Sequence, residues 1–178
     1  MSEKVKQDNN LQLNQRIEEF NDIKLLFNTF GETAYRAAWK YFFSNGYEVG
    51  YERFMKAVKK GTLTPEKFKS EPVKTIENFL KEFFRERGGN QPEIWSENST
   101  IFLKTERDVW CPAHDAVAIS GINHKDICSI HKRAFVIGIV KTFEEFFPGL
   151  TTNCYNVSSR FLDENADCIE AYQIIYYG

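Results

Sequence analysis

The sequence has no long apolar segment and almost no net charge. Its longest apolar run, residues 134–140, is far shorter than the roughly 20 residues that a membrane-spanning helix needs. The formal net charge is −2, which gives no overall field for attracting nucleic acid or an anionic membrane surface. The first ten residues are polar and lack the apolar core of a signal peptide. We therefore expect a soluble, cytoplasmic protein with no nucleic-acid or membrane partner.

Cysteine is also scarce. The chain has 4 cysteines in 178 residues, too few for a small disulfide-stapled scaffold, so reduced thiols or metal ligands are expected. Aromatic residues, by contrast, make up 15% of the chain, with 16 Phe among them. They can fill a core with packed rings, or they can line a cavity that admits a small ligand.

The first half of the chain has a helical pattern. Apolar residues recur every three or four positions between about Leu11 and Ser44, which predicts one long helix with a heptad-like seam. We expect Phe27 and Phe30 of this seam to be buried, either inside the subunit or in a homodimer that the helix forms. The seam positions are Phe20, Ile23, Phe27, Phe30, Ala34, Ala37 and Tyr41.

Glycine and proline mark the ends of the predicted elements. Asn45-Gly46 is expected to end the long helix, and two further helices are predicted at about Tyr51–Lys60 and Val73–Arg87. We expect residues 1–12 to form a flexible N-terminal segment and residues 13–178 to form a single domain.

In the second half the hydrophobic period changes. Residues 93–110 predict two or three short strands, and a helix is expected from Asp126 to Phe147. Residues 151–161 and 168–177 predict a β-hairpin centred on Glu164-Asn165, which would place Cys154 opposite Ile175 or Tyr176. Helices followed by a mostly antiparallel sheet with an inserted helix and a C-terminal hairpin define an α+β fold.

Two repeated spacings carry the chemical interest. Cys111 and His114 stand as C-x2-H, and Cys128 and His131 repeat that spacing. Ligands three residues apart can lie on one face of a turn or helix, and thiolate and imidazole suit Zn²⁺ or iron. The predicted hairpin makes Cys168 a better companion for this group than Cys154. The candidate zinc ligands are Cys111, Cys128, His131 and Cys168.

The same region supports a catalytic interpretation and an inert one. A thiolate at Cys111, near a helix N-terminus and an imidazole, would be a nucleophile. His114 or His131 would then act as the base, with Asp115 as an orienting carboxylate. Alternatively, the cysteines are small core residues and the histidines surface residues. The candidate substrate-binding residues are Trp110 and Phe135.

Four short motifs are spread over about residues 20 to 178. They are Phe27–Gly31 through Ala38, Trp110-Cys111-Pro112, Gly121 followed by Cys128, and Arg160-Phe161-Leu162 leading to Asp167-Cys168. Together they resemble the L-2-amino-thiazoline-4-carboxylate hydrolase-like family, which is similar in turn to the 4-vinyl reductase small-molecule-binding domain.

The resemblance implies an α+β domain that dimerises through its long helices and holds a small molecule near the sheet. In the hydrolase-like branch the implied activity is the opening of a cyclic thiazoline, a C–N bond hydrolysis. The vinyl-reductase branch implies a non-catalytic sensor, sometimes with a cysteine-ligated zinc. Cys111, Cys128 and Cys168 match family cysteines. The chain departs from the family pattern at Asn165-Ala166, where a glycine-containing turn is usual, and at Lys132-Arg133, where an acidic residue is expected.

Overall fold

The computed structural model describes residues 3–88, 91–123 and 127–177. Helices occupy the first half of this described part, and a sheet with intervening helices occupies the second. The elements are α1 (Glu3–Phe30), α2 (Glu32–Lys59), α3 (Pro65–Ser70), α4 (Pro72–Arg87), β1 (Glu93–Glu97), β2 (Thr100–Thr105), α5 (Pro112–Ser120), α6 (Ile127–Ile130), α7 (Lys132–Phe146), β3 (Leu150–Ser158) and β4 (Cys168–Tyr176). The segment expected to be a flexible arm is thus helical from residue 3 onward, and its Lys, Gln and Leu residues are good helix formers.

The four strands form one antiparallel sheet in the order β1-β2-β4-β3. β1 and β2 are joined by a tight turn in which Asn98 has a positive φ of 53°, and β3 and β4 form the C-terminal hairpin. This arrangement confirms the predicted α+β class. Residues 93–110 contain two strands rather than three, because Val109 and Trp110 lie in the connection to α5.

The register of the C-terminal hairpin differs from the prediction. Cys154 pairs with Tyr172, not with Ile175 or Tyr176. The connecting segment, residues 159–167, is centred on Asp163 rather than on Glu164-Asn165. A register shift between Asn156 and Ser158 adds one further position to the offset. Turn residues alone could not predict an irregularity within β3.

Gly31 divides the predicted long helix into α1 and α2. Its φ of 60° is positive, a backbone conformation that glycine adopts at little cost, and the chain reverses direction there. Phe27 stacks on Tyr35 across the break, with ring centroids 4.8 Å apart. Within the subunit, Phe27 is half-buried and Phe30 is 63% exposed near the end of α1, so burial of Phe30 in a homodimer stays a prediction.

Gly46 does not end a helix, contrary to the prediction, because α2 continues to Lys59. The glycine is buried where α2 crosses α7. A Cβ at position 46 would lie 1.9 Å from the carbonyl oxygen of Phe135, and one at Gly138 would lie 2.2 Å from that of Phe43. The two backbones therefore touch at this crossing, and the predicted helix at 51–60 is the last part of α2.

The helix predicted from Asp126 to Phe147 is interrupted at His131, and Asp126 itself lies outside the described residues. His131 has φ −115° and ψ −95°, which are not helical values. The interruption separates the single turn of α6 from α7 and changes the direction of every side chain that follows. Ala134, Val140 and Phe143 of α7 are nevertheless buried, at the three-to-four spacing typical of an amphipathic helix.

Aromatic rings pack against one another to fill the larger of two buried clusters, between α4, α7 and the sheet. Phe68 and Phe143 are fully buried in it, and Phe68 stacks on Phe147 with centroids 3.6 Å apart. A second cluster joins α1, α2, α5 and α6, and it includes Phe20, Phe42 and Cys128. These rings fill the core, which is the first of the two roles that the aromatic composition allowed. In the described part of the chain, no helix combines the length and apolarity needed to cross a membrane.

The carboxylate of Glu77 joins α4 to β1 and should make stability dependent on pH. It is 1% exposed and accepts hydrogen bonds from Lys81 (2.5 Å), Ser96 (2.6 Å) and Lys74 (2.9 Å). Burial raises the pKa of Glu77, but these hydrogen bonds outweigh burial and lower that pKa to about 2. Because the folded pKa lies below the ordinary value of 4.5, the stabilisation is complete above that value and is lost as the pH falls towards 2.

We expect this carboxylate to contribute on the order of 3 kcal/mol to the free energy of unfolding at neutral pH. Urea unfolding between pH 7 and pH 2.5 measures the effect in the wild type and in Glu77→Gln. The variant should be less stable at neutral pH, and its stability should change less between pH 4.5 and pH 2.5. Equal pH dependence in the two proteins would contradict the assignment.

Candidate functional site

Three cysteines from separate segments form what we call the thiol group: Cys111, Cys128 and Cys168. Cys111 immediately precedes α5, Cys128 lies in α6, and Cys168 is the first residue of β4. Cys128 is a member of the second buried cluster, and Cys111 packs against that cluster. Burial is the main reason that the pKa of the Cys128 thiol is raised well above its usual value, and negative charge on Cys111 or Cys168 raises it further. All four cysteines of the chain are free thiols.

Cys154 lies apart from this group. It is half-buried on β3 opposite Tyr172 and packs on the larger cluster. Burial raises the pKa of the Cys154 thiol to about 12, and its charged neighbours include Lys141 and Glu144 rather than the other cysteines. Cys154 therefore belongs to the helix-facing side of the sheet and not to the thiol group.

A partly buried ion pair follows Cys128 along the chain. Lys132 lies four residues after Cys128, beyond the interruption at His131, and its ammonium group is 3.3 Å from the carboxylate of Glu170. The side chain of Glu170 is 4% exposed, and it also accepts a hydrogen bond of 2.8 Å from the hydroxyl of Tyr172. The positive charge of Lys132 lowers the pKa of Cys128 and the negative charge of Glu170 raises it, so both charges act on the buried thiol.

His131 does not join the thiols, although the C-x2-H spacing predicted that it would share a face with Cys128. Its Nε2 atom lies 2.8 Å from a carboxylate oxygen of Glu19, and its ring lies edge-on to Phe20 and Phe42. The interruption between α6 and α7 is the reason, because it turns position 131 towards α1 and α2. Burial lowers the pKa of His131, and the bond to Glu19 opposes that shift. The charges that act most strongly on His131 come from Arg16, Glu19 and Arg87, whereas those that act most strongly on Cys128 come from Cys111, Lys132 and Glu170.

His114 and Asp115 do not form a pair beside Cys111. His114 is exposed, and its ring lies 5.5 Å from that of Phe161. The carboxylate of Asp115 accepts a hydrogen bond of 2.9 Å from the indole nitrogen of Trp110. Asp115 therefore orients the tryptophan that precedes Cys111, rather than the histidine.

Phe135 lies away from the other candidate substrate-binding residue, Trp110. It belongs to α7, where its backbone meets Gly46 and its ring is 6.0 Å from that of Phe83. Its packing partners belong to the larger cluster, whereas Cys111 packs against the second cluster. Phe135 therefore belongs to the packing of the larger cluster.

Arg160 holds in place the backbone of the segment that leads to Cys111. Its guanidinium donates hydrogen bonds to the carbonyl oxygens of Arg107 (2.8 Å), Val109 (2.9 Å) and Glu106 (3.2 Å). The backbone N–H of Arg160 also donates to the sulfur of Cys168, at 3.4 Å. One residue of the β3–β4 connection thus holds both Cys168 and the segment that leads to Cys111.

Sequence reasoning did not single out Arg160, Lys132 or Glu170 as site residues. For Glu170 a signal exists, because the alternation along β4 places it in line with Tyr172 and Ile174, which face the helices. A carboxylate in such a position needs a buried partner. No comparable signal exists for Arg160, since its partners are backbone carbonyl groups of a distant loop.

The zinc set expected from the spacing does not assemble around one point. Across residues 3–88, 91–123 and 127–177, no three Cys, His, Asp or Glu side chains are placed to hold a metal ion together. The thiols of Cys111, Cys128 and Cys168 are chemically suited to zinc, but His131 is engaged with Glu19. Zinc binding stays a prediction.

No protein-family model and no curated protein sequence matches the chain. Among solved structures, the fold is similar to that of trafficking protein particle complex subunit 3 from Naegleria fowleri, covalently bound to palmitic acid. The two proteins are 10% identical, and the match covers 92% of this chain and 94% of that chain with a TM-score of 0.56. At this identity, the similarity establishes a common fold across nearly the whole chain.

Proposed function

We propose that the protein is a non-catalytic binding module of the 4-vinyl reductase type that assembles as a homodimer through α1 and α2. The observation that carries the proposal is the distribution of exposed hydrophobic side chains. Of the 12 large hydrophobic residues that are exposed in the described chain, more than half lie on these two helices. They are Leu11, Leu25, Leu26, Phe30, Tyr41, Tyr51 and Val58.

Four residues near the α1–α2 connection form what we call the hairpin face: Leu26, Phe30, Ala37 and Tyr41. Leu26 and Phe30 are one helical turn apart, as are Ala37 and Tyr41, so each pair projects from one side of its helix. The exposed fractions are 43% for Leu26, 63% for Phe30 and 62% for Tyr41. Because α2 folds back along α1, the two pairs lie on neighbouring helices, and clustered exposed apolar side chains are typical of interaction sites.

A second copy of the chain is the occupant that suits this face. Exposed charges of both signs lie beside it, with Asp22 one helical turn before Leu26 on α1 and Lys40 next to Tyr41 on α2. A two-fold axis brings the same face of two subunits together, so a surface of mixed charge can pair with itself without concentrating like charges. The small side chain of Ala37 leaves room for another helix. The family resemblance implies the same mode of dimerisation.

The homodimer predicts a specific effect of charge on the hairpin face. Wild-type protein should sediment as a dimer, and Phe30→Glu should weaken dimerisation by at least about 30-fold, because a carboxylate would be buried in the apolar centre of the interface. Sedimentation equilibrium over a range of protein concentrations measures the dissociation constant.

The matched control is Tyr177→Glu, which adds the same charge at a residue that is 80% exposed and lies beyond β4. This variant should dimerise like the wild type. Circular dichroism of both variants verifies that they are folded. A wild-type protein that is monomeric throughout, or equal weakening by the two substitutions, would refute assembly through this face.

Hydrolysis of a cyclic C–N bond is the alternative function, and it stays a prediction. It would need a base beside a nucleophilic thiol, whereas His131 is bonded to Glu19 and His114 points towards Phe161. The small-molecule ligand of a binding module also stays a prediction. The palmitic acid of the structural neighbour suggests a small apolar molecule as its chemical class.

A further inference from the structure

The two edge strands of the sheet differ in how their outer sides are covered. In the strand order β1-β2-β4-β3, β1 and β3 stand at the two ends, and each pairs with a neighbour on one side only. Across residues 3–88, 91–123 and 127–177, no further strand pairs with either of them. The outer side of an edge strand presents backbone N–H and C=O groups with which a segment of another chain can pair.

Side chains of α7 cover the outer side of β3. The backbone N–H of Thr152 donates to the carboxylate of Glu144, and the carbonyl oxygen of Thr152 accepts a hydrogen bond of 2.9 Å from the ammonium group of Lys141. The register of β3 is also irregular between Asn156 and Ser158. Covered backbone groups and irregular register are two features that keep an edge strand from pairing with another chain.

The outer side of β1 has no comparable cover in the described part of the chain. Its register with β2 is regular throughout Glu93–Glu97, and the side-chain hydrogen bonds of its residues end on other side chains. Ser96 donates to the carboxylate of Glu77 on α4 at 2.6 Å, and the indole N–H of Trp95 donates to Glu97 at 3.0 Å. The backbone groups on this side are therefore open to a partner.

These open backbone groups belong to Ile94 and Ser96. The backbone N–H of Ile174 on β4 donates to the carbonyl oxygen of Ser99 at 2.7 Å. The next residue along the chain therefore directs its own backbone groups towards β1, where it lies opposite Glu97. Because this direction alternates along an antiparallel ladder, every second residue of β1 bonds to β2, and the two residues between them direct their groups outward.

A groove of about 490 Å³ lies between α4 and the beginning of β1. Two buried core residues, Phe84 and Ile94, contribute to its apolar lining. The basic side chains along it, Lys81 and Arg85, each lie within 3.5 Å of a carboxylate of α4. The groove therefore suits an apolar side chain better than an anion.

The face of β1 turned away from α4 carries negative charge on both sides of an aromatic ring. Glu93, Trp95 and Glu97 alternate with the residues that face α4, so they share this face. Both glutamates are exposed. Lys104 of β2 lies opposite Glu93, but its ammonium group is also 3.1 Å from the carboxylate of Asp167. This side of the edge is therefore acidic.

A second copy of β1 does not suit this edge. Antiparallel pairing centred on Trp95 would place Glu93 of each copy opposite Glu97 of the other, and like charges directly opposite each other are destabilising. A basic segment would instead bring an opposite charge to each carboxylate.

We propose that the outer side of β1 and the neighbouring groove bind an extended basic segment of a partner protein, which adds to the sheet as an antiparallel strand. Alternate side chains of this segment are Lys or Arg opposite Glu93 and Glu97, and those between them are apolar and meet Ile94 and the groove. Backbone hydrogen bonds hold the segment, and the carboxylates select its charge. The surface is separate from the hairpin face, and binding does not depend on the proposed homodimer.

The test uses the full chain and the peptide Gly-Lys-Val-Thr-Val-Lys-Gly, with a fluorophore at its N-terminus and an amide at its C-terminus. Its two lysines are four positions apart, as are Glu93 and Glu97. Fluorescence anisotropy should show saturable binding with a dissociation constant below about 1 mM. In ¹⁵N NMR spectra of the protein, the largest shift changes should occur in the amides of β1. A peptide with Glu in place of both lysines should bind at least about tenfold more weakly.

Charge reversal on the protein tests the role of the carboxylates. Glu93→Lys/Glu97→Lys should weaken binding of the lysine peptide at least about tenfold and strengthen binding of the glutamate peptide. The matched control is Glu18→Lys/Glu145→Lys, which changes the net charge equally at two exposed residues of α1 and α7. It should bind both peptides like the wild type.

Two N-methylated peptides test whether the segment pairs as a strand. In antiparallel pairing the two valines lie opposite Ile94 and Ser96 and direct their N–H groups towards β1. N-methylation of both valines removes these donors and should abolish binding. N-methylation of the threonine and the second lysine changes the solvent side of the peptide instead, and it should leave the affinity within about threefold of the parent.

Three results would overturn the proposal. They are no saturable binding of the lysine peptide up to about 1 mM, equal weakening by the two double charge reversals, and equal affinities of the two N-methylated peptides. The first would exclude the site, the second would reduce it to a general effect of net charge, and the third would exclude strand addition. Self-association of the protein that Glu93→Lys/Glu97→Lys abolishes would assign the edge to a second copy and would also overturn the proposal.

Discussion

Gly46→Ala should destabilise the protein by about 3 kcal/mol, near the upper end of the range for overpacking a close-packed site. A methyl group at this position would lie 1.9 Å from the carbonyl oxygen of Phe135 and 2.7 Å from its carbonyl carbon. Backbone atoms cannot move aside as the end of a flexible side chain can, so α2 and α7 would have to separate. Alanine is more favourable than glycine in a helix by roughly 1 kcal/mol. The steric overlap must cost more than this gain for the variant to be less stable. Urea unfolding monitored by circular dichroism measures the change.

Two further substitutions make the result specific. Ser44→Ala also places alanine on α2, but at an exposed position, and it should leave stability unchanged or slightly raised. Gly138→Ala changes the opposite side of the same crossing, where a methyl group would lie 2.2 Å from the carbonyl oxygen of Phe43, and it should be as damaging as Gly46→Ala. If Gly46→Ala were as stable as Ser44→Ala, the two helices would not cross at this distance.

The crossing matters because α7 contributes to both buried clusters. Ala134 belongs to the cluster shared with α1 and α5, whereas Val136 and Phe143 belong to the cluster that covers the sheet. The glycine contact sets how deeply α7 sits against α2. It therefore connects the packing around the thiol group with the packing over the sheet.

The sequence could not distinguish a glycine that ends a helix from one that permits a close helix crossing. Asn45-Gly46 has the composition of a turn, and only the approach of a distant segment reveals its actual role. At Gly31 the error is the opposite one. The heptad pattern continues through this glycine, so the sequence predicts an unbroken helix where the chain reverses direction. The class of fold could nevertheless be predicted, because the change of hydrophobic period near residue 93 is a local property.

The candidate site could be predicted in part for a similar reason. The residue types between Trp110 and His131 indicated a chemical site in that stretch. Cys111 and Cys128, two of the three cysteines of the thiol group, lie in it. A residue belongs to the site only if its side chain points towards it. The interruption before α7 changes that direction for His131. A repeated C-x2-H spacing assumes a regular turn at each copy, and only the structure reveals where that regularity ends.

Phe20→Ala and Phe30→Ala should have very different effects on stability, although both residues belong to the predicted seam on α1. Phe20 is fully buried, and its ring meets His131 edge-on at 5.5 Å. Its truncation should cost about 3–5 kcal/mol through lost burial and a cavity in the second buried cluster beside His131. Phe30 is 63% exposed within the subunit, so its truncation should change the free energy of subunit unfolding by less than about 0.5 kcal/mol.

Both substitutions are best measured by urea unfolding in a Leu26→Glu background, where the proposed dimer no longer contributes to stability. Without that background, Phe30→Ala should show an additional loss that grows with protein concentration, because a dimer is stabilised by mass action. Equal losses for the two truncations in the Leu26→Glu background would mean that α1 continues past Gly31 as one buried seam. A small loss for Phe20→Ala would mean that α1 does not pack against His131, and the position of that histidine would then have to be reassigned.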